Sequence, residues 1–409
     1  MKCRFCSSEN LNLFIDLGMS PPSNSFLTVE QLNNPEVFLP LKLWICNDCF
    51  LVQIDEYKNA NEIFNNDYAY FSSYSTTWLN HSKNYVDMIS KRLNLNCDSF
   101  VIEIASNDGY LLQYFKEKNI PCLGIEPTAN TAKVAKEKGI STLTEYFTNS
   151  MAKQVAIEFG KADLILGNNV FAHVPDINDF VKGLKVLLKG SGTITLEFPH
   201  LLTLIENNQY DTIYHEHFWY FSVYSLQNVF RKHELTIYNI EELSTHGGSL
   251  RLYLKHFENS FISVLKNVQD VINNEIKHGI NKLDYYQEFV NRVRKNKLDI
   301  LEFLIRQKKD GKKIAAYGAA AKGNTFLNYC GIKNDLIDFV VDASPIKQNK
   351  LLPGSHIPIV SEKVLHLEKP DYVLIFPWNI KDEIFIQINY IKNWGGKFVV
   401  AIPNLEILG

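Results

Sequence analysis

The stretch Phe-Val-Ile-Glu-Ile-Ala-Ser-Asn-Asp-Gly-Tyr-Leu-Leu, residues 100–112, decides the fold class of this chain. Its first five residues form a short apolar run that is typical of a buried strand. Small and polar residues follow at 105–109, and a helical pattern of apolar residues begins at Tyr110. A strand, a tight turn and a helix in this order form the first unit of a doubly wound α/β sheet. Such sheets bind ligands beyond the carboxyl ends of their strands.

The same alternation of strand and helix continues as far as residue 254. It predicts further strands at 122–126, 162–166 and 192–197, and helices near 131–138 and 180–188. Two strands then follow each other directly, at 235–238 and 250–254, joined around His246-Gly247-Gly248. This ending predicts an antiparallel close to an otherwise parallel sheet.

A second α/β unit is predicted at the end of the chain. Residues 261–309 have helical periodicity, and strands are predicted after them at 313–317, 336–342 and 372–376. The fold class is therefore α/β, in three parts. We expect a small N-terminal module at 1–70, a doubly wound domain at 71–260, and a helical connector with a second Rossmann-like domain at 261–409.

Composition excludes several classes of protein. The 409 residues are 46% apolar and 12% aromatic, which is typical of a folded globular chain. Their net charge of −3 disfavours a general nucleic-acid binder. We find no apolar run of membrane-spanning length and no apolar signal core after Met1, so neither a membrane span nor secretion is expected. Seven cysteines, including two close pairs, fit a reducing cytoplasm better than a disulfide framework.

The two close cysteine pairs are Cys3 with Cys6 and Cys46 with Cys49. Two Cys-x-x-Cys turns supply the four thiolates of a closed tetrahedral zinc site. Their separation is wider than the usual spacing of about 15–20 residues, so the second pair has to return across a longer loop. Independent buried or free cysteines are the alternative. A site with four protein ligands has no open position, so a zinc ion here is expected to be structural.

The turn at 103–109 is a candidate ligand site. Its small residues let a ligand approach the backbone, and the helix N-terminus favours an anionic group. Glu126 ends the next predicted strand, where an acidic side chain can hold ribose hydroxyls. The layout suits NAD or the nucleoside of S-adenosylmethionine, although Ala105 and Asn107 stand where glycine is expected. A merely structural turn is the alternative.

The sequence Tyr214-His215-Glu216-His217 concentrates groups suited to proton transfer. Imidazole titrates near neutrality, and a neighbouring carboxylate can orient it or raise its basicity. The spacing differs from His-Glu-x-x-His, which excludes the zinc-protease motif. His173 lies just beyond a predicted strand, at the edge where doubly wound sheets bind ligands. A structural polar turn and a structural histidine are the alternatives.

A degenerate phosphate-binding turn follows the first strand of the second unit. It reads Gly318-Ala-Ala-Ala-Lys322-Gly-Asn324, and Asp342 closes the next strand. Backbone donors and a lysine suit a nucleotide or the diphosphate of a nucleotide sugar. The alternative is a tight crossing between strand and helix.

Taken in this order, the motifs resemble those of the S-adenosylmethionine-dependent sugar C-methyltransferases, which act on nucleotide-activated keto-deoxysugars. The resemblance covers essentially the whole chain. It rests on the two Cys-x-x-Cys pairs, Glu-Ile-Ala-Ser-Asn-Asp-Gly-Tyr-Leu-Leu at 103–112, Tyr-His-Glu-His at 214–217, His-Gly-Gly-Ser-Leu-Arg at 246–251 and Gly-Ala-Ala-Ala-Lys-Gly-Asn at 318–324. The family itself has these residues in place of the expected glycines of the cofactor turn.

The resemblance implies a zinc-binding module, a class I methyltransferase domain and a C-terminal Rossmann-like domain, with the active site between the last two. It also implies methylation of C3 in a dTDP-linked 4-keto-deoxysugar during branched-chain deoxysugar biosynthesis. A base removes the proton next to the C4 ketone, and the resulting enolate takes the methyl group of S-adenosylmethionine.

Roles for single residues follow from the same resemblance. His217 is implied to be the base, with Glu216 beside it and Tyr214 near the keto oxygen. His173 is a further active-site histidine, and Tyr68, or else Tyr74, is implied to reach the substrate. Contacts to the cofactor are implied for Ala105, Asn107, Gly109, Glu126 and Asn169. Contacts to the substrate are implied for His246, which would help Tyr214 and His173 stabilise the enolate, and for Lys322, Gly323 and Asn324, which would hold the pyrophosphate.

Three other functions share some of these features. An NAD-dependent nucleotide-sugar oxidoreductase would use the Gly318 turn for its dinucleotide. A zinc-ribbon nucleic-acid methyltransferase would need a basic face, which the net charge does not favour. A nucleotide-sugar-binding regulator without turnover would not need the intact tetrad at 214–217. We expect a monomeric cytoplasmic enzyme without nucleic-acid or membrane partners.

Overall fold

Three β-sheets, each formed around a different part of the chain, organise this computed structural model, which describes residues 1–57 and 71–409. The strands are β1 (Leu11–Ser20), β2 (Leu39–Cys46), β3 (Val52–Ile54), β4 (Val101–Ile104), β5 (Cys122–Ile125), β6 (Thr142–Leu143), β7 (Ala162–Asn168), β8 (Leu188–Pro199), β9 (Trp219–Tyr220), β10 (Leu235–Leu243), β11 (Ser249–His256), β12 (Ile314–Tyr317), β13 (Phe339–Val341), β14 (Ile359–Val360), β15 (Tyr372–Ile375), β16 (Lys397–Val400) and β17 (Glu406–Leu408). The α-helices are α1 (Thr76–Arg92), α2 (Leu112–Glu117), α3 (Ala129–Glu137), α4 (Asn149–Glu158), α5 (Ile177–Leu187), α6 (Leu201–Glu206), α7 (Val223–Lys232), α8 (Lys266–His278), α9 (Leu283–Lys309), α10 (Ala321–Cys330), α11 (Lys363–Glu368) and α12 (Lys381–Gln387).

The central sheet has seven strands in the order β10-β11-β8-β7-β4-β5-β6. Strands β4 to β8 are parallel, and β11 lies antiparallel between β8 and β10. Strand β4 is buried over its whole length, which explains its continuous apolar sequence. The predicted class I methyltransferase sheet, with its antiparallel close, is confirmed. It brings the turns after β4, β5 and β7 to one edge.

The C-terminal sheet has six strands in the order β14-β13-β12-β15-β16-β17, parallel except for β17. Helix α10 begins directly after the turn that follows β12, as predicted for a Rossmann-like unit. The strand predicted at 336–342 is shorter, Phe339–Val341. The connector consists of α8 and α9, as its helical periodicity predicted.

The N-terminal sheet has four antiparallel strands, and only three of them come from the N-terminal part of the chain. Its order is β1-β2-β3-β9, and β9 follows directly after the 214–217 tetrad. In the pairing, Val52 lies opposite Tyr220 and Gln53 opposite Trp219. The predicted three-part description therefore misses a strand that the middle of the chain contributes to the first sheet.

The N-terminal residues also pack against the connector and the C-terminal domain. Phe14 meets the rings of Tyr286 and Phe289 of α9 at centroid distances of 4.8 and 5.4 Å. Leu27 and Leu351 form a backbone bridge with two hydrogen bonds, of 3.0 and 2.8 Å. Residues 1–57 thus contact parts of the chain that lie far away in sequence.

Among the described residues, no helix combines the length and the apolar character that crossing a bilayer requires.

Candidate active site

The turn after β4 has a left-handed backbone at three of its five residues. Ala105, Asn107 and Gly109 have φ of 55°, 49° and 74°. This explains why the turn is normally rich in glycine, since other residues adopt this conformation at some cost. At Gly109 a side chain would be strained by the left-handed backbone, and its Cβ would displace Cδ1 of Ile140, which lies 2.4 Å away. The turn therefore keeps the backbone shape of a nucleotide-binding loop with two non-glycine residues.

Glu126 holds this turn from the end of β5. Its carboxylate accepts the backbone N–H of Asn107 at 2.8 Å and that of Thr128 at 2.9 Å. The Thr128 hydroxyl also donates to it. Burial raises the pKa of Glu126. Glu126 thus lies at the predicted edge of the sheet, and its carboxylate is hydrogen-bonded to the backbone of the cofactor turn.

The residues at this edge fit a polar cofactor such as S-adenosylmethionine. Both amide atoms of Asn168, at the end of β7, and Oδ1 of Asn169 are buried without a hydrogen-bond partner among the described residues. Buried amides normally have partners, so these atoms are suited to a bound polar ligand. A cofactor contact was implied for Asn169 by the family resemblance, whereas none was expected for Asn168. The signal for Asn168 was the Asn-Asn pair at the strand end.

A short segment after residue 70 lies over the cofactor turn. The backbone N–H of Ser72 donates to Oδ1 of Asn107 at 2.9 Å, and the Ser73 hydroxyl donates to Oδ2 of Asp108. Nothing in the sequence pattern signalled these contacts. Tyr74, the second choice for a substrate-contacting tyrosine, is 73% exposed. The first choice, Tyr68, lies outside the described residues.

His217 is the central residue of the tetrad. Its Nδ1 lies 3.2 Å from the carbonyl oxygen of Thr212 and its Nε2 lies 2.7 Å from the Tyr214 hydroxyl. A carbonyl oxygen can only accept, so Nδ1 carries the proton, and Nε2 accepts the hydroxyl proton of Tyr214. Burial, together with nearby His173, lowers the pKa of His217 well below its ordinary value. The ring is therefore neutral at pH 7, and its basic nitrogen, Nε2, accepts the hydrogen bond from Tyr214.

His173 lies beside His217, with the two ring centroids 4.7 Å apart. Its Nδ1 donates to the backbone oxygen of Glu216 at 2.7 Å. Burial lowers the pKa of His173 to about 4, so Nε2 of the neutral ring is an acceptor. The expectation for His173 was that it donates a hydrogen bond to the enolate oxygen. In this tautomer Nε2 has no proton and cannot do so.

The other two tetrad residues point elsewhere. Oε1 of Glu216 accepts from the Asn24 side chain at 2.7 Å, while the two ring nitrogens of His217 contact Tyr214 and Thr212. His215 is buried, and its Nε2 donates to the carbonyl oxygen of Pro40 at 3.2 Å. Neighbours in sequence are thus divided between the site and the N-terminal module.

His246 joins the cofactor edge to the tetrad side of the site. Its Nε2 accepts from Nδ2 of Asn169 at 2.9 Å, and burial lowers its pKa to about 4. The residue itself has φ of 54°. The next residue, Gly247, has to be glycine, because a Cβ there would lie 2.3 Å from the Trp378 ring. The 246–248 turn therefore packs directly on the C-terminal domain.

Lys322 lies on the C-terminal side of this contact. Its Nζ donates to Oδ1 of Asn379 at 3.0 Å and lies 4.5 Å from the centre of the Trp378 ring. Trp378 in turn donates from Nε1 to Oδ2 of Asp211 at 2.7 Å. Burial lowers the pKa of Lys322 and raises that of Asp211 to about 6. No sequence pattern indicated Asp211 or Trp378.

The two residues after Lys322 have different surroundings. A Cβ on Gly323 would lie 2.6 Å from the Phe376 ring, so this glycine permits close packing of α10. Asn324 is buried, and its Nδ2 donates to the carbonyl oxygen of Ser23. Of the three residues expected at the pyrophosphate, the structure brings Lys322 alone to the side of His246.

The four paired cysteines form one cluster. Their sulfur atoms all lie within 4.8 Å of one another, with Cys3 to Cys49 at 3.7 Å and Cys6 to Cys46 at 3.6 Å. Tetrahedral zinc with Zn–S bonds of about 2.3 Å places its sulfurs about 3.8 Å apart. The backbone N–H of Ser7 donates to Cys3 O and that of Phe50 to Cys46 O, each at 2.8 Å. The two turns thus repeat one geometry, and the predicted zinc site fits.

Three family models match the chain. They are described as "Putative zinc binding domain" for residues 3–64, "Methyltransferase domain" for 81–240 and "C-methyltransferase C-terminal domain" for 244–403. The C-methyltransferase NovU of Streptomyces niveus is 32% identical over 407 residues, which cover 100% of this chain and 96% of that protein. The chain belongs to the C-methyltransferase family.

This C-methyltransferase is also similar to solved structures over about half its length. An S-adenosylmethionine-dependent methyltransferase of Anabaena variabilis is 16% identical and covers 50% of this chain and 99% of its own, with a TM-score of 0.39. Magnesium protoporphyrin IX methyltransferase of Synechocystis is 12% identical, covers 49% and 99%, and has a TM-score of 0.35.

The reaction class follows from family membership. The enzyme is an S-adenosylmethionine-dependent C-methyltransferase with an N-terminal zinc-binding domain. This family membership decides against the oxidoreductase alternative. The second Rossmann-like unit is therefore not the NAD site of an oxidoreductase, and its role has to lie in the methyl transfer.

Proposed function

We propose that this C-methyltransferase methylates C3 of a dTDP-linked 4-keto-deoxysugar, in the biosynthesis of a branched-chain deoxysugar. The observation that carries the proposal is the neutral His217, whose basic Nε2 accepts from Tyr214 in a partly buried cluster. A carbon next to a ketone is acidic enough for such a base, whereas an isolated sugar carbon is not. NovU, the relative described above, is itself named a C-methyltransferase.

The chain's own residues divide the work of the reaction. Nε2 of His217 takes the proton from C3, and the electron pair of the C–H bond passes into the enolate. The Tyr214 hydroxyl, which now donates to Nε2, is then available to the enolate oxygen. His246 carries its proton on Nδ1, because its Nε2 accepts from Asn169, and is a second donor.

S-adenosylmethionine, when bound, supplies an electrophilic methyl group on sulfur. In the proposal the cofactor lies on the 105–109 turn with Glu126 and Asn169. The new bond joins C3 to the methyl carbon, the old sulfur–carbon bond breaks, and its electron pair stays on sulfur. The products are the methylated sugar, S-adenosylhomocysteine and the proton taken by His217, which leaves to solvent.

The nucleotide part of the substrate is assigned to the C-terminal domain. Lys322 is half-buried, with its Nζ over the Trp378 ring, and its positive charge suits the negative charge of a diphosphate. Gly323 and Asn324 follow Lys322 at the start of α10 and are assigned to the same pyrophosphate site, where Oδ1 of Asn324 is buried without a partner among the described residues. In the same proposal the chain divides into parts at 1–70, 71–260 and 261–409, and the monomeric enzyme works in the cytoplasm without nucleic-acid partners.

The proposal is tested by incubating the enzyme with S-adenosylmethionine and a panel of nucleotide-linked 4-keto-deoxysugars. Mass spectrometry should show a gain of one CH2 with a dTDP-linked member, and NMR should place the new methyl group at C3. His217→Asn should lower the turnover by about 100-fold or more, because a positioned base contributes about 10²–10⁴-fold.

His215→Asn is the matched control, since Nε2 of this buried neighbour donates to the carbonyl oxygen of Pro40 in the N-terminal module. It should keep turnover close to the wild type. Near-normal turnover in His217→Asn would remove His217 as the base. Absence of methylation across the whole panel, with S-adenosylmethionine still bound, would overturn the choice of substrate.

A further inference from the structure

Arg4 lies between two cysteines of the zinc cluster, yet its side chain points away from them. Nη2 of its guanidinium donates to the carbonyl oxygens of Ile54, at 2.8 Å, and Phe218, at 3.2 Å. Its Cζ lies 4.4 Å from the centre of the Trp219 ring. The side chain is 20% exposed and forms an ion pair with Glu56 at 3.6 Å. Arg4 therefore connects the first zinc turn to the residues directly after the tetrad.

Those residues are bonded in turn to the segment that carries His173. The backbone N–H of Phe218 donates to Ala172 O at 2.8 Å, and the Trp219 indole donates to Val174 O at 2.6 Å. The segments that hold the two active-site histidines are thus tied together at the point that Arg4 contacts. Ile54 adds a backbone bond to Phe218 O at 3.1 Å.

We infer that Arg4 is a positioning residue, which fixes the His217–His173 pair from the zinc-binding side of the molecule. The inference rests on the proposed function for the roles of the two histidines. Arg4 never touches them. It holds Phe218, the neighbour of His217, through a guanidinium whose planar fork reaches two carbonyls and a ring at once.

The zinc turn explains how Arg4 itself is held. Cys3 and Cys6 on either side of it belong to the metal cluster, so metal binding fixes the backbone from which its side chain extends. The carbonyls of Arg4 and Phe5 also accept from the Asn178 side chain, at 3.2 and 3.1 Å. A structural metal ion is thereby coupled to the geometry of a reaction centre that it does not touch.

The test compares the wild type with Arg4→Met and Arg4→Lys in the full-length zinc-loaded protein. Side-chain ¹⁵N spectra of histidine-labelled enzyme report the ring signals of His173 and His217, assigned with His173→Asn and His217→Asn. In Arg4→Met these two signals should shift or broaden, because the donors to Ile54 and Phe218 are gone. Arg4→Lys keeps one donor and the charge, so it should restore part of the wild-type pattern.

Three further measurements separate positioning from a general loss of structure. Zinc content should stay at the wild-type level in Arg4→Met. The Kd for S-adenosylhomocysteine should change by less than about twofold, because the cofactor turn shares no contact with Arg4. Turnover should fall by about 10- to 100-fold with little change in KM, as expected when a base is displaced by less than about 1 Å. Arg231→Met, on the exposed end of α7, is the control.

Unchanged histidine signals and unchanged turnover in Arg4→Met would overturn the inference. Loss of zinc in that variant would also overturn it, because Arg4 would then act in metal binding. The proposed function fails separately: if the wild type methylates no keto-sugar, the ring signals still show whether Arg4 sets the geometry of the two histidines.

Discussion

The three histidines around the site are held in their uncharged form by burial. The pKa of His173 and that of His246 are lowered to about 4, and burial together with the neighbouring His173 lowers that of His217 well below its ordinary value. A base needs its lone pair before the substrate arrives, and burial secures this at neutral pH. The same burial destabilises the folded enzyme in acid, because these histidines bind protons more readily in the unfolded chain than in the folded one.

Acid should therefore destabilise the enzyme through these residues. Above pH 6.5 a histidine is neutral in both states; between 6.5 and about 4 it is protonated only when unfolded. As the pH is lowered through this range, the free energy of unfolding should decrease by up to about 1.4 kcal/mol per pH unit for each such histidine. In urea unfolding at pH 4.5–7, His173→Asn should have a shallower slope than the wild type.

The exposed His366 on α11 provides the comparison for that slope. His366→Asn is the matched substitution at the surface, and its slope is measured beside that of His173→Asn. If His173→Asn has the same slope as the wild type, the His173 ring of the wild type must take up its proton in the folded enzyme as well as in the unfolded chain.

Sequence reasoning identified the chemical types at the site better than their directions. It placed His217, Tyr214, His173 and His246 in one region, and the structure brings them together. It could not foresee that Glu216 is bonded to Asn24, because side-chain direction depends on the fold of distant segments. Adjacency in sequence was a poor guide to adjacency in space.

At the level of elements, a buried cross-strand ion pair supports the 246–248 turn. Arg251 of β11 lies opposite Glu197 of β8, and Nη2 of Arg251 donates to Oε2 of Glu197 at 2.7 Å. Burial alone would raise the pKa of Glu197, but His81 and Arg251 hold it below its usual value. The other carboxylate oxygen accepts from Thr245, next to His246, at 3.0 Å.

Removing one partner of this pair should be costly. Arg251→Met leaves a buried carboxylate without its main partner and should lower the free energy of unfolding by about 3–5 kcal/mol in chemical denaturation. The double variant Arg251→Met with Glu197→Leu should recover part of that loss, because no charge is then left unpaired. Arg306→Met, exposed on α9, should stay within about 0.5 kcal/mol of the wild type.

A double variant as unstable as the single one would show that the loss comes from packing rather than from the unpaired charge. The strands themselves were predictable, since their apolar runs are local. The pairing of residue 197 with 251 was not, because strand register is set by contacts that no local pattern contains.

At the level of the whole molecule, the zinc-binding domain is part of the body of the enzyme. Its sheet includes β9, Phe14 packs on α9, and Leu27 bridges to Leu351. The two Cys-x-x-Cys motifs predicted the metal correctly, whereas these contacts have no sequence signature. They depend on surfaces that form only when all three sheets are present.

Metal analysis should find about one zinc ion per chain, as four thiolates bind one tetrahedral ion. Cys46→Ser should lose most of that zinc and unfold at a lower temperature, since binding energy at a structural site contributes to folding. Cys97→Ser, at an exposed cysteine outside the cluster, should keep both properties unchanged. A zinc-free Cys46→Ser protein with wild-type melting would show that the ion contributes nothing to stability.

The strand pairing between β3 and β9 has a consequence for synthesis on the ribosome. Val52 emerges long before Tyr220, so the edge of the first sheet stays uncovered while most of the second domain is being made. The N-terminal part cannot complete its four-stranded sheet on its own, because β9 comes from a later part of the chain. The sheet of the metal-binding end is completed only after the residues just beyond the 214–217 tetrad have been synthesised, because β9 supplies its fourth strand.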